Sequence, residues 1–466
     1  MLTYNFDEKS HTSLYQQLYN FIKKDILEGH LKADEKLPSK RTFAKNLGIS
    51  IITIENAYAQ LMAEGYIYSL PKKGFYISPI NNQTPLIPQK RIIHALPVSK
   101  KYWCDFSSNQ TPVQLFPFTT WAKIMKDTLN TQQSELMINP PAGGIYELRA
   151  AIATHLKEFR NMNVEAEQII IGAGTEYLYG LLVQLLGLDQ CYAVENPGYN
   201  KILEVYSSFG ANCVPIDMDD QGLIVEQLEN YHVDIVHISP SHHFPTGIIM
   251  PISRRYELLG WANKDEHRYI IEDDYDSELR LNGKPIPALQ SIDLSEKVIY
   301  MNTFTKTLSS TIRISYMVLP PHLLELYNQK LSFYACTVSN FEQYTLAYFI
   351  SHHYFDKHLT KLRNHYHNKR DEIVDMLEKS DLKECIKISK EDAGLHFLIT
   401  INTHLNDETL VSRLKDKGIR LMPISHYYLK YQPHTSHTFI INYSSIDLEK
   451  IPKAITILKD ILKEAG

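Results

Sequence analysis

Between residues 302 and 320 the chain reads NTFTKTLSSTIRISYMVLP. Lys306 follows a strand-like run there, threonines stand on both sides of it, and Arg313 comes seven residues later. A lysine that forms a Schiff base needs a rigid strand end and an ordered wall around it. Arg313, with the hydroxyls of Thr303 and Thr305, makes a set that holds a phosphate through charge-assisted hydrogen bonds. Asp273, in IIEDDYDSEL, stands thirty-three residues before Lys306. A carboxylate at a strand end pairs with a pyridinium nitrogen, keeps it protonated and sustains an electron sink. Tyr275, two residues on, is spaced to hydrogen-bond a ring hydroxyl. Gly174 and Thr175 stand in IIIGAGTEYLYGLL, a strand running into a helix whose first N–H groups face a phosphate. Tyr199, in ENPGYN, follows a proline-glycine turn and is set to stack on a flat ring. Singly these signals are weak, since each residue type is structural more often than chemical. Their joint order is the informative observation.

The elements that must position these residues are short apolar runs alternating with helical patterns from about residue 105 to 466. IIIGAG (169–174), CYAVENP (191–197), VDIVHISP (233–240), RYIIEDD (268–274) and KVIYMNT (297–303) read as buried strands. Their spacing suits helical crossovers and an α/β fold with a mostly parallel central sheet.

Residues 1–78 read as a separate unit. Leu14, Leu18, Ile22 and Ile26 repeat every four residues between Ser13 and Gly29, which predicts an amphipathic helix. A second helix fits Ser39 to Leu47. A third begins at Ser50, with Ile54, Ala57, Tyr58 and Leu61 on one face. IYSLPKKGFYIS then predicts a hairpin around Pro71–Gly74. This is the order of a winged helix-turn-helix, whose second element enters the major groove of double-stranded DNA by its N-terminal turn. Ser50, Ile52 and Thr53 lie on that turn. Ser39, Lys40 and Arg41 are placed as phosphate clamps, and Lys72, Lys73 and Gly74 form the wing tip. Residues 1–78 hold ten Lys and Arg against eight Asp and Glu, a weak electrostatic footprint. Residues 79–104 carry four prolines and no acidic residue, and read as an extended linker kept solvated by Lys90, Arg91, Lys100 and Lys101.

Composition sets the bounds. The 466 residues exceed one ordinary core, and a formal charge of -5 argues against a whole-molecule polyanion binder. The five cysteines are scattered and never spaced C-x-x-C, so neither a disulfide framework nor a thiolate zinc site follows, and no histidine spacing suggests a metal. No apolar signal core or membrane-length run occurs, which makes a cytoplasmic protein the expectation.

The segment LYQQLYNFIKKDILEGHLKADEKLPSKRTFAKNLGISIITIENAYAQLMAEGYIYSLPKKGFYIS resembles a GntR-type winged helix over nearly its whole length. That family usually places an arginine after the serine that opens the recognition helix; Ile51 stands there in this chain. PAGGIYELRAAIATHL, IIIGAGTEYLYGLL, ENPGY, SPSHHFPTG, IEDDYDSEL and FTKTLSSTIRISY resemble, in sequence and order, the fold-type-I aminotransferase-like domain of the MocR subfamily of GntR regulators. The resemblance implies a winged helix at 1–78, a linker at 79–104 and an aminotransferase-like domain at 105–466. It implies pyridoxal 5'-phosphate as cofactor, with Lys306 as the internal aldimine lysine and Asp273 at the pyridine nitrogen. Tyr275 then meets the ring hydroxyl, Tyr199 stacks, and Gly174, Thr175, Thr303, Thr305 and Arg313 hold the phosphate. His242 and His243 position a loop beside the cofactor. A head-to-tail homodimer reading two DNA half-sites is also implied.

One departure stands out. Such domains usually carry an arginine in a C-terminal strand of the form Leu-Arg-Leu-Gly-Phe, which grips an amino-acid carboxylate. The matching stretch is FIINYSS (439–445), with Ile440 at the arginine's place and Asn442 at the glycine's. Arg420 substitutes only if the fold brings it in. A carboxylate buried against Ile440 would lack a partner. The small-molecule effector is therefore expected to be pyridoxal phosphate itself, or an amine or amino acid held in another way, with the first favoured. The rival expectation is a working aminotransferase with an appended DNA-binding head.

Overall fold

The computed structural model describes residues 2–7, 10–79, 101–108, 110–281, 286–389, 394–429 and 437–464. The chain forms two units, Met1–Ser99 and Lys100–Gly466. Of the linker read at 79–104, residues 80–100, with Lys90, Arg91 and Lys100, lie outside the described residues.

In the first unit the fourfold spacing produces the helix Leu14–Leu27, which buries Leu18, Ile22 and Ile26. Ser39 caps the helix Lys40–Leu47 by accepting a hydrogen bond from the Thr42 N–H, and Gly48 ends it in the left-handed region. Ser50 caps the helix Ile51–Ala63 in the same way through the Thr53 N–H. The strands Ile67–Leu70 and Gly74–Ile77 pair antiparallel, with Leu70 opposite Gly74 across a tip made of Pro71, Lys72 and Lys73. Phe43, Ile54, Tyr58, Leu61, Ile67 and Ile77 close one core with the first helix.

In the second unit an eight-stranded sheet runs in the spatial order Ile169–Gly172, Ser315–Val318, Val298–Thr303, Tyr269–Asp273, Ile235–Ile238, Cys191–Asn196, Asn212–Asp219 and Gly222–Leu223. All five runs read as strands from the sequence lie in it. The strands Cys191–Asn196, Asn212–Asp219, Ile235–Ile238, Tyr269–Asp273 and Val298–Thr303 are parallel, and Ser315–Val318 runs against both neighbours. Alternation along the strands sorts the core onto two faces. Ile169, Ile171, Tyr300, Tyr316 and Val318 pack with Trp121, Leu148 and Leu346. Ile170, Ile299, Met301 and Met317 pack with Leu178, Leu182 and Leu323. Helices thus cover both faces, which is why these strands read as unbroken apolar runs.

A second, antiparallel sheet orders Ile386–Ser389, His396–Ile401, Thr438–Asn442 and Met422–Pro423. Phe397, Ile399, Ile401, Phe439 and Ile441 point to one face and pack on the helices Tyr354–Glu378, Asp407–Asp416 and Ile451–Lys463. Leu398 and Ile440 alternate to the other face. Trp103 and Cys104, read from sequence as the end of a linker, lie on this unit. The Trp103 indole donates to the Lys417 carbonyl at 2.7 Å, and Cys104–Asp105 pairs in parallel with Ile419–Arg420.

Ile22 is fully buried in the core of the first unit. Ile22→Ala removes methyl and methylene groups from a filled site, which costs about 2–4 kcal/mol. Scanning calorimetry is expected to show the transition of the first unit lowered and that of the second unchanged.

Candidate functional site

Thr175, Tyr199, Ser239, Asp273 and Thr303 lie at or just beyond the carboxyl ends of the strands Ile169–Gly172, Cys191–Asn196, Ile235–Ile238, Tyr269–Asp273 and Val298–Thr303. Ligands bind open α/β sheets at this edge. A cavity of about 210 Å³ opens there. It brings together Lys306, Asp273, Tyr275, Tyr199, Thr175, Thr303, Thr305 and Arg313, eight of the nine residues expected at a cofactor. Gly174, the ninth, lies immediately behind. Its φ is +95°, and a Cβ built on it would stand 2.2 Å from the Arg313 Nη2. The guanidinium therefore comes up against a backbone whose positive φ and lack of a side chain suit glycine.

One end of the cavity is lined by donors. Thr303 and Thr305 hydroxyls lie 2.7 Å apart, and the Ser315 hydroxyl donates to Thr303 Oγ1 at 2.8 Å. Arg313 is ion-paired with Glu176, which Lys201 also engages. The hydrogen bond from Lys201 is the main reason that the Glu176 carboxyl is held below its usual range.

Asp273 is buried in the same cavity. Tyr179 donates its hydroxyl to Asp273 Oδ2 at 2.6 Å, and His237 Nε2 stands 3.4 Å from the same oxygen. Tyr206 fixes the far nitrogen of that ring at 2.7 Å. Among the described residues Asp273 Oδ1 has no hydrogen-bond partner although it is buried. A carboxylate oxygen left so is costly, and a cationic N–H arriving through the cavity would satisfy it.

Lys306 lines the same cavity. Burial lowers its amine to about 8, against the opposing pull of Asp276. A neutral, nucleophilic amine is therefore accessible close to neutrality. Tyr275 sits 3.3 Å from His242 Nδ1, and that nitrogen is 2.8 Å from Asp276 Oδ2. His243 contacts Thr246 within its own loop at 2.7 Å. Tyr199 is half exposed at the rim, edge-on to Phe244 at 6.2 Å.

Sequence reasoning missed Tyr179, His237, Glu195 and His396, which also line the cavity, as does Asn442, noted from sequence only at the place of the family's glycine. Tyr179 had a signal, being one helical turn beyond Thr175. His237 had another, as an imidazole in an otherwise apolar strand. Burial pushes the Glu195 carboxyl up to about 8. Arg420 is half exposed and pairs with Asp105 at 3.6 Å, and Ile440 is buried beside Leu398 and Ile424.

On the first unit the expected DNA-facing residues lie at two places. Ile52 is 68% exposed, which for an isoleucine on the first turn of a capped helix has no folding reason. Ser50 and Thr53 spend their hydroxyls on each other at 2.8 Å. Ser39 caps its helix, Arg41 is exposed beside it, and Lys40 is tied to Glu55 at 2.5 Å. Lys72, Lys73 and Gly74 form the tip of the hairpin, where Lys72 takes a φ of 60°. Among the described residues no helix is long and apolar enough to cross a membrane.

A winged helix ahead of a sheet with a lysine–carboxylate–arginine cavity at its carboxyl edge defines a class: regulators built on an aminotransferase scaffold. Residues 14–77 match the family of bacterial regulatory proteins of the gntR type, and residues 101–458 match aminotransferase class I and II. The chain is 36% identical to the HTH-type transcriptional regulator YdeL of Bacillus subtilis, over 96% of each chain. It is 30% identical to the probable rhizopine catabolism regulatory protein MocR of Rhizobium meliloti, over 97% of this chain and 94% of that one. Among solved structures, an archaeal alanine:glyoxylate aminotransferase aligns with a TM-score of 0.69 at 24% identity, over 79% of this chain and 92% of its own. The chain belongs to the MocR subfamily of GntR-type regulators, with a fold-type-I aminotransferase domain.

The depressed Lys306 amine has a stability consequence in cofactor-free protein. Below about pH 8 the folded state carries a buried ammonium, which costs stability. Between about 8 and the ordinary 10.5 the unfolded state binds the proton and the folded state does not, so this cost fades as pH rises. Lys306→Met is expected to exceed the parent in urea stability by up to about 3 kcal/mol at pH 7, with the gap closing by pH 10.5.

Proposed function

We propose that this chain is a DNA-binding transcription regulator whose large unit carries pyridoxal phosphate on Lys306 and responds to the cofactor or to an amine effector. The observation that carries this reading is the buried, unpartnered Asp273 Oδ1 in the same cavity as Lys306 and the Arg313–Thr303–Thr305 donors. A phosphorylated pyridine aldehyde is the group whose three functions answer these three places. When bound, it supplies an electrophilic carbon and an electron-accepting ring.

The chain's own residues do the rest. Asp273, oriented by Tyr179 and His237, holds a proton on the ring nitrogen. Arg313, Thr303, Thr305, Thr175 and the N–H groups after Gly174 hold the phosphate. Tyr275 donates to the ring hydroxyl and Tyr199 covers the ring face. On the first unit Ile52 and its neighbour Ile51 meet base edges in the major groove, while Arg41, Lys72 and Lys73 hold phosphates. Two copies form a homodimer that reads two half-sites. The protein works in the cytoplasm, where its DNA is.

Two measurements test the reading. The purified protein with added pyridoxal phosphate is expected to show a visible absorption band that Lys306→Ala abolishes; a parent without the band would remove the cofactor from the account. Binding to duplex DNA is expected to fall with salt, and Lys72→Ala with Lys73→Ala to flatten the log–log slope by about 0.9 per lost phosphate contact. An unchanged slope would remove the wing from the interface. A keto-acid turnover assay separates this regulator from a working aminotransferase, which would show sustained turnover.

A further inference from the structure

None of the residues assigned above to the cofactor comes from the second sheet, which also lines the cavity. His396 and Asn442 lie there, directly opposite each other in the register of the strands His396–Ile401 and Thr438–Asn442. Opposed residues of an antiparallel pair project to one face with their Cβ atoms about 5 Å apart. The next pair on that face is Leu398 with Ile440, which is apolar and packs with Ile424 and Phe244.

The protonation and orientation of the polar pair follow from its partners. His396 Nε2 stands 3.3 Å from the Pro245 carbonyl oxygen, which only accepts, so Nε2 carries the hydrogen. Burial holds the ring well below the usual imidazole range, hence neutral, and Nδ1 keeps its lone pair. Asn442 Oδ1 already accepts from the Ser444 N–H at 3.1 Å and from the Ser444 hydroxyl at 2.7 Å. That fixes the amide, and its NH₂ group is left as the donor. The wall therefore offers one acceptor and one donor side by side.

Charge completes the specification. The cations among the described lining residues are Lys306 and Arg313, the first committed to the cofactor and the second paired with Glu176. A carboxylate entering here meets the lone pair of His396 and the methyl groups around Ile440, and finds no uncommitted cation among the described lining residues. A hydroxyl or carboxamide both donates and accepts, and fits the pair.

We infer that the effector is a small primary amine bearing an uncharged hydroxyl or carboxamide, recognised by His396 and Asn442, rather than an amino acid. The inference rests on pyridoxal phosphate being bound at Lys306. With the cofactor bound, the amine nitrogen would replace the lysine nitrogen on the carbon that Lys306 holds: the carbon–nitrogen double bond would be exchanged, the protons lost by the incoming amine would pass to the departing lysine nitrogen, and nothing would be oxidised or reduced.

The test is a calorimetric titration of full-length, cofactor-loaded protein with four two-carbon probes: ethanolamine, glycinamide, ethylamine and glycine. Ethanolamine and glycinamide are expected to bind at least tenfold more tightly than the other two. Asn442→Leu is expected to bring ethanolamine to the level of ethylamine, and Ile440→Arg to raise glycine affinity at least tenfold. If the visible band is intact and glycine or ethylamine binds as tightly as ethanolamine, or none of the four binds, this inference is overturned and the cofactor assignment stands. If no band forms with excess pyridoxal phosphate, the cofactor assignment itself fails.

Discussion

The large unit is organised around a carboxylate that is held on one side and left open on the other. Asp273 ends a strand in the middle of the sheet, where Tyr179 and His237 fix one oxygen and, among the described residues, nothing answers the second. Both of its supports come from neighbouring elements, a helix after the edge strand Ile169–Gly172 and the next parallel strand. Holding the charge in place therefore requires the sheet order, the crossover helix and the alternation of faces to be right together. Interiors leave few polar atoms unpaired, and those that remain tend to mark a place where something arrives.

Much of this was legible in the residues. The five apolar runs were found because strands covered on both faces lose their polar alternate positions. Ser39 and Ser50 were visible as helix starts, and both cap their helices, a local use of a hydroxyl that needs no tertiary context. Lys306, Asp273 and Arg313 were found through their order along the chain. Tyr179, His237 and His396 were not, and Asn442 was noted only at the place of the family's glycine, since their importance depends on which strands become neighbours. His396 and Asn442 are separated by forty-five residues and meet only through the register of an antiparallel pair. The strand Asn212–Asp219 was also passed over, because its face positions are only partly buried and it lacks a continuous apolar run. At the linker, Trp103 looked like part of a proline-rich tether, yet its indole donates to the Lys417 carbonyl, its ring lies against Gly418 and Lys453, and it packs on the core beneath the second sheet.

The first unit shows a different economy. Its side-chain hydroxyls at Ser39, Ser50 and Thr53 are occupied in holding helices, and Lys40 is held by Glu55. What remains outward at the start of the third helix is apolar. Isoleucine pairs there would make contacts with methyl groups rather than forked hydrogen bonds, so discrimination between bases would come from shape and fit more than from charge.

The second sheet has two faces with separate duties. Odd-numbered positions on the strand His396–Ile401 are buried beneath three helices, and even-numbered ones face Phe244 and the cavity. Positions 396, 398, 440 and 442 lie apart from that core, so changes there act first on the cavity wall and on the small cluster around Ile424. A scaffold of this kind lets a lineage of regulators change the signal it answers by altering a few alternate residues, while the promoter it controls is chosen by residues several hundred positions away.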